Sequence, residues 1–328
     1  MNTKPVTWQQ ILADAFDNAE DLCRHLGIDP EQLQLSAESR AFPLKVPRGF
    51  VELMEPGNPD DPLLKQVLPL LDEMRRYPGY SSDPVGDLQA VAAEGVIHKY
   101  HGRVLLIATG ACAIHCRYCF RRNFPYGELQ LSSQKLQQAL DYIGNREEIG
   151  EAILSGGDPL LLNDEKLGRL LAKLGAIPHL KRLRIHSRIP VVLPQRITPA
   201  LLEMLAATGK QIVLVIHANH GNELSGEVGA ACARLARQGV TLLNQSVLLR
   251  GVNDDSGILR RLSERLFAFG VLPYYLHLLD RVSGAGHFEV SEHTALELMA
   301  QIRRELPGYL VPRLVKEQAG AAYKIAIC

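Results

Sequence analysis

The sequence predicts an α/β protein: a partial, TIM-like (β/α)6 barrel preceded by a helical N-terminal region. The alternation of two kinds of segment in the 328-residue chain, and the number of times that it repeats, indicate this architecture. From residue 103 onward, short apolar runs alternate with amphipathic stretches at helical spacing, and the alternation repeats six times. Such alternation is typical of parallel strands joined by right-handed helical crossovers. Six units are too few for a closed eight-stranded barrel, so we expect the sheet to stay open.

The first 95 residues are expected to form a mainly helical region. Apolar side chains recur at helical spacing over Trp8–Leu26, and a second helix is predicted over Pro62–Arg76. Prolines and glycines over residues 30–58 indicate short helices and turns. No catalytic pattern is evident here, so a packing or lid role is expected. The predicted divisions are a helical region at 1–95, a barrel at 96–312 and a C-terminal segment at 313–328.

The barrel units follow in chain order. The predicted strands are short apolar runs: Val104–Thr109, Glu151–Leu154, Arg182–His186, Ile212–His217, Thr241–Leu248 and Pro273–Leu279. The predicted helices lie between them: Ser133–Gly144, Asp164–Leu174, Pro199–Ala207, Gly226–Gln238, Ser256–Phe269 and Glu292–Leu306. Chemistry is expected at the C-terminal ends of the strands, as in barrels of this kind.

The composition limits the classes of function. Lysine plus arginine and aspartate plus glutamate both number 36, so neither a nucleic-acid surface nor a polybasic membrane face is expected. The N-terminus lacks the apolar segment of a secretory signal, and no apolar run is long enough to span a bilayer. Six cysteines in a chain of this length do not suggest a disulfide framework. A cytoplasmic protein is therefore predicted.

Three closely spaced thiols follow the first predicted strand. Cys112, Cys116 and Cys119 form a C-x3-C-x2-C pattern. Thiolates suit iron–sulfur clusters or zinc, and three of them hold three irons of a [4Fe–4S] cube, leaving the fourth iron open for chemistry. The alternative is a zinc knuckle with a fourth ligand such as His115. Zinc sites usually show two separated ligand pairs, and no second pair is present, so the cluster is favoured.

Polar residues also follow the other predicted strands. The paired glycines after the second strand form either an ordinary turn or a close approach of ligand to backbone. A ring of polar residues at one end of one barrel favours a binding site. Its predicted members are Ser155, Gly156, Gly157, Asp158, Arg184, His186, Ser187, Arg188, His217, Asn219, His220, Asn244, Gln245 and Asp280. Of these, Arg188 is expected to have a structural or peripheral role.

Several segments together resemble the lysine 2,3-aminomutase family of radical S-adenosylmethionine (SAM) enzymes. They are C-A-I-H-C-R-Y-C-F-R-R, S-G-G-D-P-L, V-V-L-P-Q-R-I-T, N-Q-S-V-L-L-R-G-V-N-D and P-Y-Y-L-H, which occur in this order from about residue 100 to the C-terminus. The N-terminal W-Q-Q-I-L-A-D-A-F is similar to a narrower bacterial branch that makes β-lysine for modification of elongation factor P. The resemblance implies a radical SAM partial barrel.

The resemblance also implies cofactors and their residues. Besides the cluster and SAM, the family uses pyridoxal 5′-phosphate (PLP), bound as an imine to a lysine after a glycine-rich turn. Here Gly320-Ala321-Ala322-Tyr323 precedes Lys324, which is the lysine implied. Lys99 and Arg103 match the two cations that contact the phosphate, although the family has arginine where Lys99 stands. The ring residues Ser155, Gly156, Gly157, Asp158, His217 and Gln245 are implied in SAM or PLP binding.

Substrate contacts are implied in the same way. Arg121 matches the arginine that pairs with the substrate carboxylate. Asp280 and Glu317 match the acids that bind the ε-ammonium of lysine, with Glu317 standing where the family has aspartate. An acidic substrate would leave two buried carboxylates without a cation, so free L-lysine is predicted.

The implied reaction moves the α-amino group of L-lysine to Cβ, giving β-lysine, the R isomer by the branch resemblance. The implied partners are a reductant such as flavodoxin or ferredoxin, elongation factor P and its lysyl ligase. One alternative is β-lysine production for osmolytes or antibiotics. Another is a non-catalytic iron–sulfur protein, which would need neither Lys324 nor the acid pair.

Overall fold

One open β-sheet forms the centre of the molecule. The computed structural model describes residues 6–36 and 42–328, and within them the sheet has ten strands, side by side in chain order. Their bounds are β1 (Val91–Ala93), β2 (Val96–Tyr100), β3 (Arg103–Thr109), β4 (Glu151–Gly156), β5 (Arg182–Ser187), β6 (Gln211–Ile216), β7 (Thr241–Val247), β8 (Leu272–His277), β9 (Arg313–Lys316) and β10 (Ile325–Ala326).

Parallel pairing dominates the sheet. Strands β3 to β9 pair in parallel, each with the next along the chain. Antiparallel strands extend both edges: β1 and β2 precede β3, and β10 follows β9. The edges do not close on one another, which confirms the predicted partial barrel.

The described helices cover the sheet and fill the N-terminal region. Their bounds are α1 (Trp8–Ala13), α2 (Ala19–His25), α3 (Arg48–Val51), α4 (Pro62–Lys65), α5 (Tyr126–Leu129), α6 (Ser133–Gly144), α7 (Asp164–Gly175), α8 (Ile189–Val192), α9 (Pro199–Ala206), α10 (Gly226–Arg237), α11 (Ser256–Ala268) and α12 (Glu292–Glu305).

Helix α7 shows how the sequence builds each barrel unit. The Asn163 side chain accepts a hydrogen bond from the backbone N–H of Lys166 and so caps the first turn. Acidic residues in that turn favour the positive end of the helix dipole. The buried side chains recur three and four residues apart, at Leu167, Leu170, Leu171 and Leu174, and form the stripe that packs on the sheet.

The six predicted barrel strands and six predicted helices are confirmed, within a few residues at their ends. Strand β9 was not predicted. It has only four residues, and its neighbour β8 supplies the parallel pairing that makes it a strand. The sheet crosses both predicted divisions of the chain, because β1 lies before residue 96 and β9 begins at residue 313.

The long N-terminal helices were predicted wrongly. The pattern over Trp8–Leu26 forms two helices, because Phe16 bridges to Val46 and Asn18 caps α2. The pattern over Pro62–Arg76 forms the single turn of α4 and a 3-10 turn at Leu71–Met74, with Pro69 between them, where no backbone N–H is available to continue a helix. Residues 37–41 of the predicted turn-rich stretch lie outside the described residues.

The N-terminal region packs directly on the barrel. Leu22 and Leu63 belong to the same buried apolar cluster as Leu106 of β3. The Arg196 guanidinium of the barrel also stacks on the Trp8 ring, 4.8 Å from its centroid. Among the described residues, no helix is both long and apolar enough to cross a membrane.

Candidate active site

The cysteine loop leaves the C-terminal end of β3, where barrel chemistry was expected. The end of β4 supports it through two backbone hydrogen bonds, from Gly157 N to Thr109 O and from Asp158 N to Ala111 O, both 2.7 Å. A Cβ on Gly157 would collide with the Ala111 carbonyl, and one on Gly156 would lie 2.5 Å from the Thr109 oxygen. The paired glycines therefore serve the close approach of two loops.

The three thiols lie on this loop and are partly buried. Burial, with Cys119, Asp158 and Cys116 nearby, raises the pKa of Cys112 well above its ordinary value. Burial and Cys116 also raise the pKa of Cys119, to about 11. A bound metal reverses this effect, because it holds thiols as thiolates. Over residues 6–36 and 42–328, no three His, Cys, Asp or Glu side chains are gathered around a single-ion position. Three thiols on one loop fit a cluster that takes one iron on each.

A buried polar network lies behind the cysteine loop. Its members, which we call the Arg188 network, are Gln66, Tyr118, Arg188, Asn219 and Glu223. Arg188 Nη1 donates to Cys116 Sγ (2.7 Å), and Arg188 Nη2 donates to Glu223 Oε2 (2.9 Å). The sequence indicated a structural or peripheral role for Arg188. It could not predict the contact with Cys116, because the partners of Arg188 come from distant parts of the chain.

Asp158 joins the loops that follow β4 and β5. Its carboxylate accepts from Ser187 Oγ at 2.7 Å and from the backbone N–H of Arg188 at 2.8 Å. Further backbone bonds come from Leu160 and Ile189. Burial raises the pKa of Asp158 to about 6, although these hydrogen bonds oppose the rise. The geometry gives Asp158 a positioning role; its implied contact with a cofactor stays a prediction.

A second ionic network contains four further residues that the sequence predicted for the site. Its members, the Lys324 network, are Asp87, Lys99, Arg121, Glu317 and Lys324. Lys324 Nζ donates to Glu317 Oε2 (2.5 Å), and Lys99 Nζ contacts both Glu317 Oε1 (3.0 Å) and Asp87 Oδ1 (2.6 Å). Asp87 Oδ2 pairs with Arg121 Nε at 2.7 Å. Glu317 thus links Lys324 to Lys99, and Asp87 links Lys99 to Arg121. The sequence did not single out Asp87.

Arg121 keeps donors for a ligand. Besides Asp87, its guanidinium donates to Ser155 Oγ through Nη1 at 3.1 Å. No hydrogen bond joins Nη2 to any residue of the part of the chain that the structure describes. Because an arginine fork recognises carboxylates, the donors of Nη2 can serve a carboxylate ligand, and the expected substrate contact of Arg121 stays a prediction.

The two acids differ in charge state. Burial disfavours the charged form of Glu317, but Lys324 and Lys99 outweigh it and lower its pKa to about 2. Burial and the nearby Glu317 raise the pKa of Asp280 to about 7, although Lys324 opposes the rise. Within the described residues, the Asp280 carboxylate has no hydrogen-bond or ion-pair partner. Glu317 is therefore anionic in this state, whereas Asp280 titrates near neutral pH.

The two cations implied for the phosphate are in different situations. Lys99 has three N–H donors, and Val85 O (2.7 Å), Asp87 and Glu317 accept them. Arg103 begins β3 and lies over the Tyr100 ring, 4.8 Å from its centroid. Its guanidinium forms no hydrogen bond or ion pair with a described residue, so Arg103 is the cation with donors available. Both phosphate assignments stay predictions.

Three neutral histidines lie at the ends of parallel strands. Burial lowers the pKa of His186 and His277 well below the ordinary value and that of His217 to about 3, and the charge of Lys324 acts in the same direction. Gln245 Nε2 donates to His217 Nε2 at 2.9 Å. In contrast, Nε2 of His186 and of His277 are buried without a partner in the described structure. Unpartnered buried nitrogens fit a polar cofactor or substrate in the barrel. His277 is a candidate site residue that the sequence prediction missed, although it ends the P-Y-Y-L-H segment.

The chain is similar to several known proteins. Residues 106–261 match the radical SAM superfamily. The chain is 51% identical to "L-lysine 2,3-aminomutase" of Escherichia coli, over 97% of this chain and 93% of that protein. It is 46% identical to the protein of that name in Haemophilus influenzae, over 97% and 94%. Among solved structures, a radical SAM methyltransferase from Sphaerobacter thermophilus aligns with a TM-score of 0.48 and 17% identity, covering 67% of this chain and 68% of that one.

These identities extend over nearly the whole chain, well beyond the cysteine motif. They imply the three cofactors that the resemblance implied: a [4Fe–4S] cluster, SAM and PLP. The chain belongs to the lysine 2,3-aminomutase family of the radical SAM superfamily.

Proposed function

We propose that this protein converts L-lysine to β-lysine and that the barrel opening beside Lys324 is its active site. One observation carries the proposal: the unpaired Asp280 carboxylate lies near the ionised Glu317 and Lys324. An unpaired acid that is largely removed from water favours binding of a cation. The relatives named above carry the name of this reaction, which supports the same substrate.

The substrate's two ends meet complementary groups. The ε-ammonium of lysine lies against Asp280 and Glu317, and its charge lowers the pKa of Asp280 so that the acid is ionised in the complex. The α-carboxylate is bound by the free donors of Arg121, whose orientation Asp87 and Ser155 fix. A glutamate side chain in the same position would place a carboxylate against two carboxylates, which disfavours it strongly.

The chain's residues hold the cofactors as follows. Cys112, Cys116 and Cys119 would hold the cluster, Lys324 would hold PLP and Arg103 would contact its phosphate. When bound, the cluster with SAM would supply radical chemistry and PLP would supply stabilisation of the migrating amino group. The neutral histidines His186 and His217 line the barrel without adding a charge that would compete for the substrate carboxylate.

The biological role that we propose is supply of β-lysine, as the R isomer, for modification of elongation factor P in the cytoplasm. The W-Q-Q-I-L-A-D-A-F segment supports this branch. A flavodoxin or ferredoxin would reduce the cluster, and the lysyl ligase of elongation factor P would consume the product. The divisions that we propose are a mainly helical region at 1–95, the barrel at 96–312 and the lysine segment at 313–328, with the sheet continuing across both boundaries.

The test is an anaerobic assay of reconstituted protein with L-lysine, SAM, PLP and dithionite, with chiral analysis of the product by mass spectrometry. We expect (R)-β-lysine, and we expect the product to label elongation factor P when the ligase is added. L-Glutamate is the matched substrate control. Equal turnover of glutamate, or no β-lysine from protein with full cluster and PLP content, would contradict the proposed function.

A further inference from the structure

The side chain of Arg188 is directed at a sulfur of the cysteine loop. Arg188 follows β5, is only 6% exposed, and donates from Nη1 to Cys116 Sγ at 2.7 Å. A neighbouring Asp158 oxygen accepts its backbone N–H at 2.8 Å, so the backbone is fixed as well as the side chain. A cationic donor is therefore held against a thiol that we assign to the cluster.

The opposite edge of the guanidinium is fixed by buried acceptors. Nη2 donates to Gln66 Oε1 at 2.8 Å and to Glu223 Oε2 at 2.9 Å. Both acceptors have no exposed surface. The second oxygen of Glu223 accepts from Gln66 Nε2 (3.1 Å) and from the backbone N–H groups of Asn219 (2.8 Å) and His220 (3.0 Å). Glu223 therefore cannot turn away without leaving several buried donors unpaired.

Aromatic rings complete the enclosure. The guanidinium carbon lies 5.4 Å from the Phe50 ring centroid and 5.8 Å from that of Tyr118. Tyr118 in turn accepts a hydrogen bond from Asn219 Nδ2 at 2.7 Å. Few rotamers of Arg188 satisfy these contacts, so the donor direction toward Cys116 is built into the fold.

We propose that Arg188 is a positioning residue for the iron–sulfur cluster that raises its reduction potential through the hydrogen bond to Cys116. Reduction adds one electron, and hence one negative charge, to the cluster and its sulfurs. A cationic N–H donor to a ligating sulfur stabilises the reduced state more than the oxidised state. Hydrogen bonds to sulfur are among the factors that set the potential of such clusters.

The N-terminal region has a part in this arrangement. Gln66 lies just after α4 and accepts from Arg188, while its backbone oxygen accepts from the N–H of Arg117 in the cysteine loop at 2.9 Å. The region that the sequence indicated only for packing or a lid thus reaches the cluster loop. We infer that it fixes the donor that tunes the cluster.

The test compares wild-type protein with Arg188→Met and Arg188→Lys, each reconstituted as the full chain and matched for iron content. Redox titration, followed by electron paramagnetic resonance of the reduced cluster, gives the midpoint potential. A charge-assisted hydrogen bond predicts a roughly tenfold or greater fall in the ratio of reduced to oxidised cluster at a fixed potential for Arg188→Met. Arg188→Lys keeps the positive charge but not the planar guanidinium, so its midpoint potential should lie between those of wild type and Arg188→Met.

Arg196→Lys is the matched control, because Arg196 is also fully buried but donates to Leu160 O and pairs with Asp164. Its midpoint should equal that of wild type. If Arg188→Met does not assemble a cluster, Gln66→Met keeps the arginine and should lower the potential by a smaller amount.

Unchanged midpoints in the iron-loaded Arg188 variants would overturn the proposal. Loss of the cluster in Arg188→Met, Arg188→Lys and Gln66→Met would also overturn it and indicate a role in assembly. The proposal rests on the cluster of the proposed function but not on its substrate. A shifted midpoint potential in the Arg188 variants, with no β-lysine from the wild-type protein, would contradict only the proposed function. Formation of β-lysine with no shift in potential would contradict only this inference.

Discussion

The Arg188 network and the Lys324 network both bury cations and carboxylates at the same end of the barrel, yet they differ in how the nearby carboxylates are paired. In the Arg188 network, both Glu223 oxygens have partners, and the arginine that they hold is directed at Cys116. Beside the Lys324 network, Asp280 has no partner among the described residues, and two buried histidine nitrogens are unpaired. In the Arg188 network the carboxylate is fully paired and fixes geometry, although Arg188 Nε has no partner among the described residues. The region beside Lys324 instead has an unpaired acid and two histidine nitrogens available for ligands.

The difference has an energetic consequence. Removing one partner of a buried ion pair leaves an uncompensated charge and costs about 3–5 kcal/mol. Changes in the Arg188 network should therefore affect both stability and the cluster. A change at unpaired Asp280 removes no such partner, so its main effect should fall on ligand binding.

The largest expected effects are two substitutions that each remove one cofactor and leave the other bound. Cys116→Ala should abolish the visible absorbance of the cluster and the activity, because a cluster iron loses its ligand, while PLP still binds. Lys324→Ala should abolish activity and covalent PLP, while the cluster assembles normally. Iron analysis and borohydride labelling with peptide mapping measure the two outcomes.

Lys316→Ala is the matched control for the lysine, since Lys316 pairs with Glu292 and lies eight residues before Lys324. It should keep both cofactors. Borohydride label on Lys316 or Lys99 would contradict the assignment of Lys324. One tightly held zinc and no iron in wild-type protein would favour the zinc knuckle instead.

The comparison also explains what the sequence could and could not predict. Local patterns were sufficient for the barrel strands and for the position of the three thiols directly after the first of them. The role of Lys324 rests on the resemblance and stays a prediction. Local patterns could not predict that Lys99 bonds Asp87 and Glu317, because those partners are distant in sequence and the contact exists only in the folded chain. For the same reason, Arg188 could not be linked to Gln66, which is 122 positions away.

Short elements limited the fold prediction in a similar way. Strand β9 has four residues, and only its pairing with β8 and β10 identifies it. Helical periodicity over Trp8–Leu26 was real, but the bridge of Phe16 to Val46 outweighed it. In each case a tertiary contact decided the outcome over a weak local preference.

An intermediate effect is expected from Asp280→Asn. A charge-assisted hydrogen bond to the ε-ammonium is worth about 1.5–3 kcal/mol, so kcat/KM for lysine should fall roughly tenfold to hundredfold. Cluster and PLP content should stay unchanged. Because the pKa of Asp280 is about 7 in the free protein, wild-type kcat/KM should fall as the pH drops below 7, and this limb should be absent in the variant.

Steady-state kinetics from pH 5.5 to pH 8.5 measure both effects. Loss of the cluster or of PLP on this substitution would mark Asp280 as structural. A wild-type enzyme that used glutamate as readily as lysine would show that the acid pair has no selective role.

The smallest expected effect concerns stability, and it separates the two acids by sign. The pKa of Asp280 is about 7 when folded against an ordinary 3.8, so the folded state binds more protons in this range and stability falls as the pH rises from about 4 to 7. Asp280→Asn removes this pH-dependent loss of stability. The free energy of unfolding of the variant should therefore rise relative to that of wild type between pH 5.5 and 7 and then stay constant. Partial exposure of Asp280 keeps the change to about 1 kcal/mol.

The pKa of Glu317 is lowered from 4.5 to about 2, so the stability that this acid contributes is fully present above pH 4.5 and is lost only as the pH falls toward 2. Glu317→Gln should therefore destabilise the protein by the same amount at pH 5.5 and at pH 8.5. Denaturant unfolding of the cofactor-free chain at these two pH values measures both variants, and a pH-independent effect of Asp280→Asn would show that this acid is already ionised in the free protein.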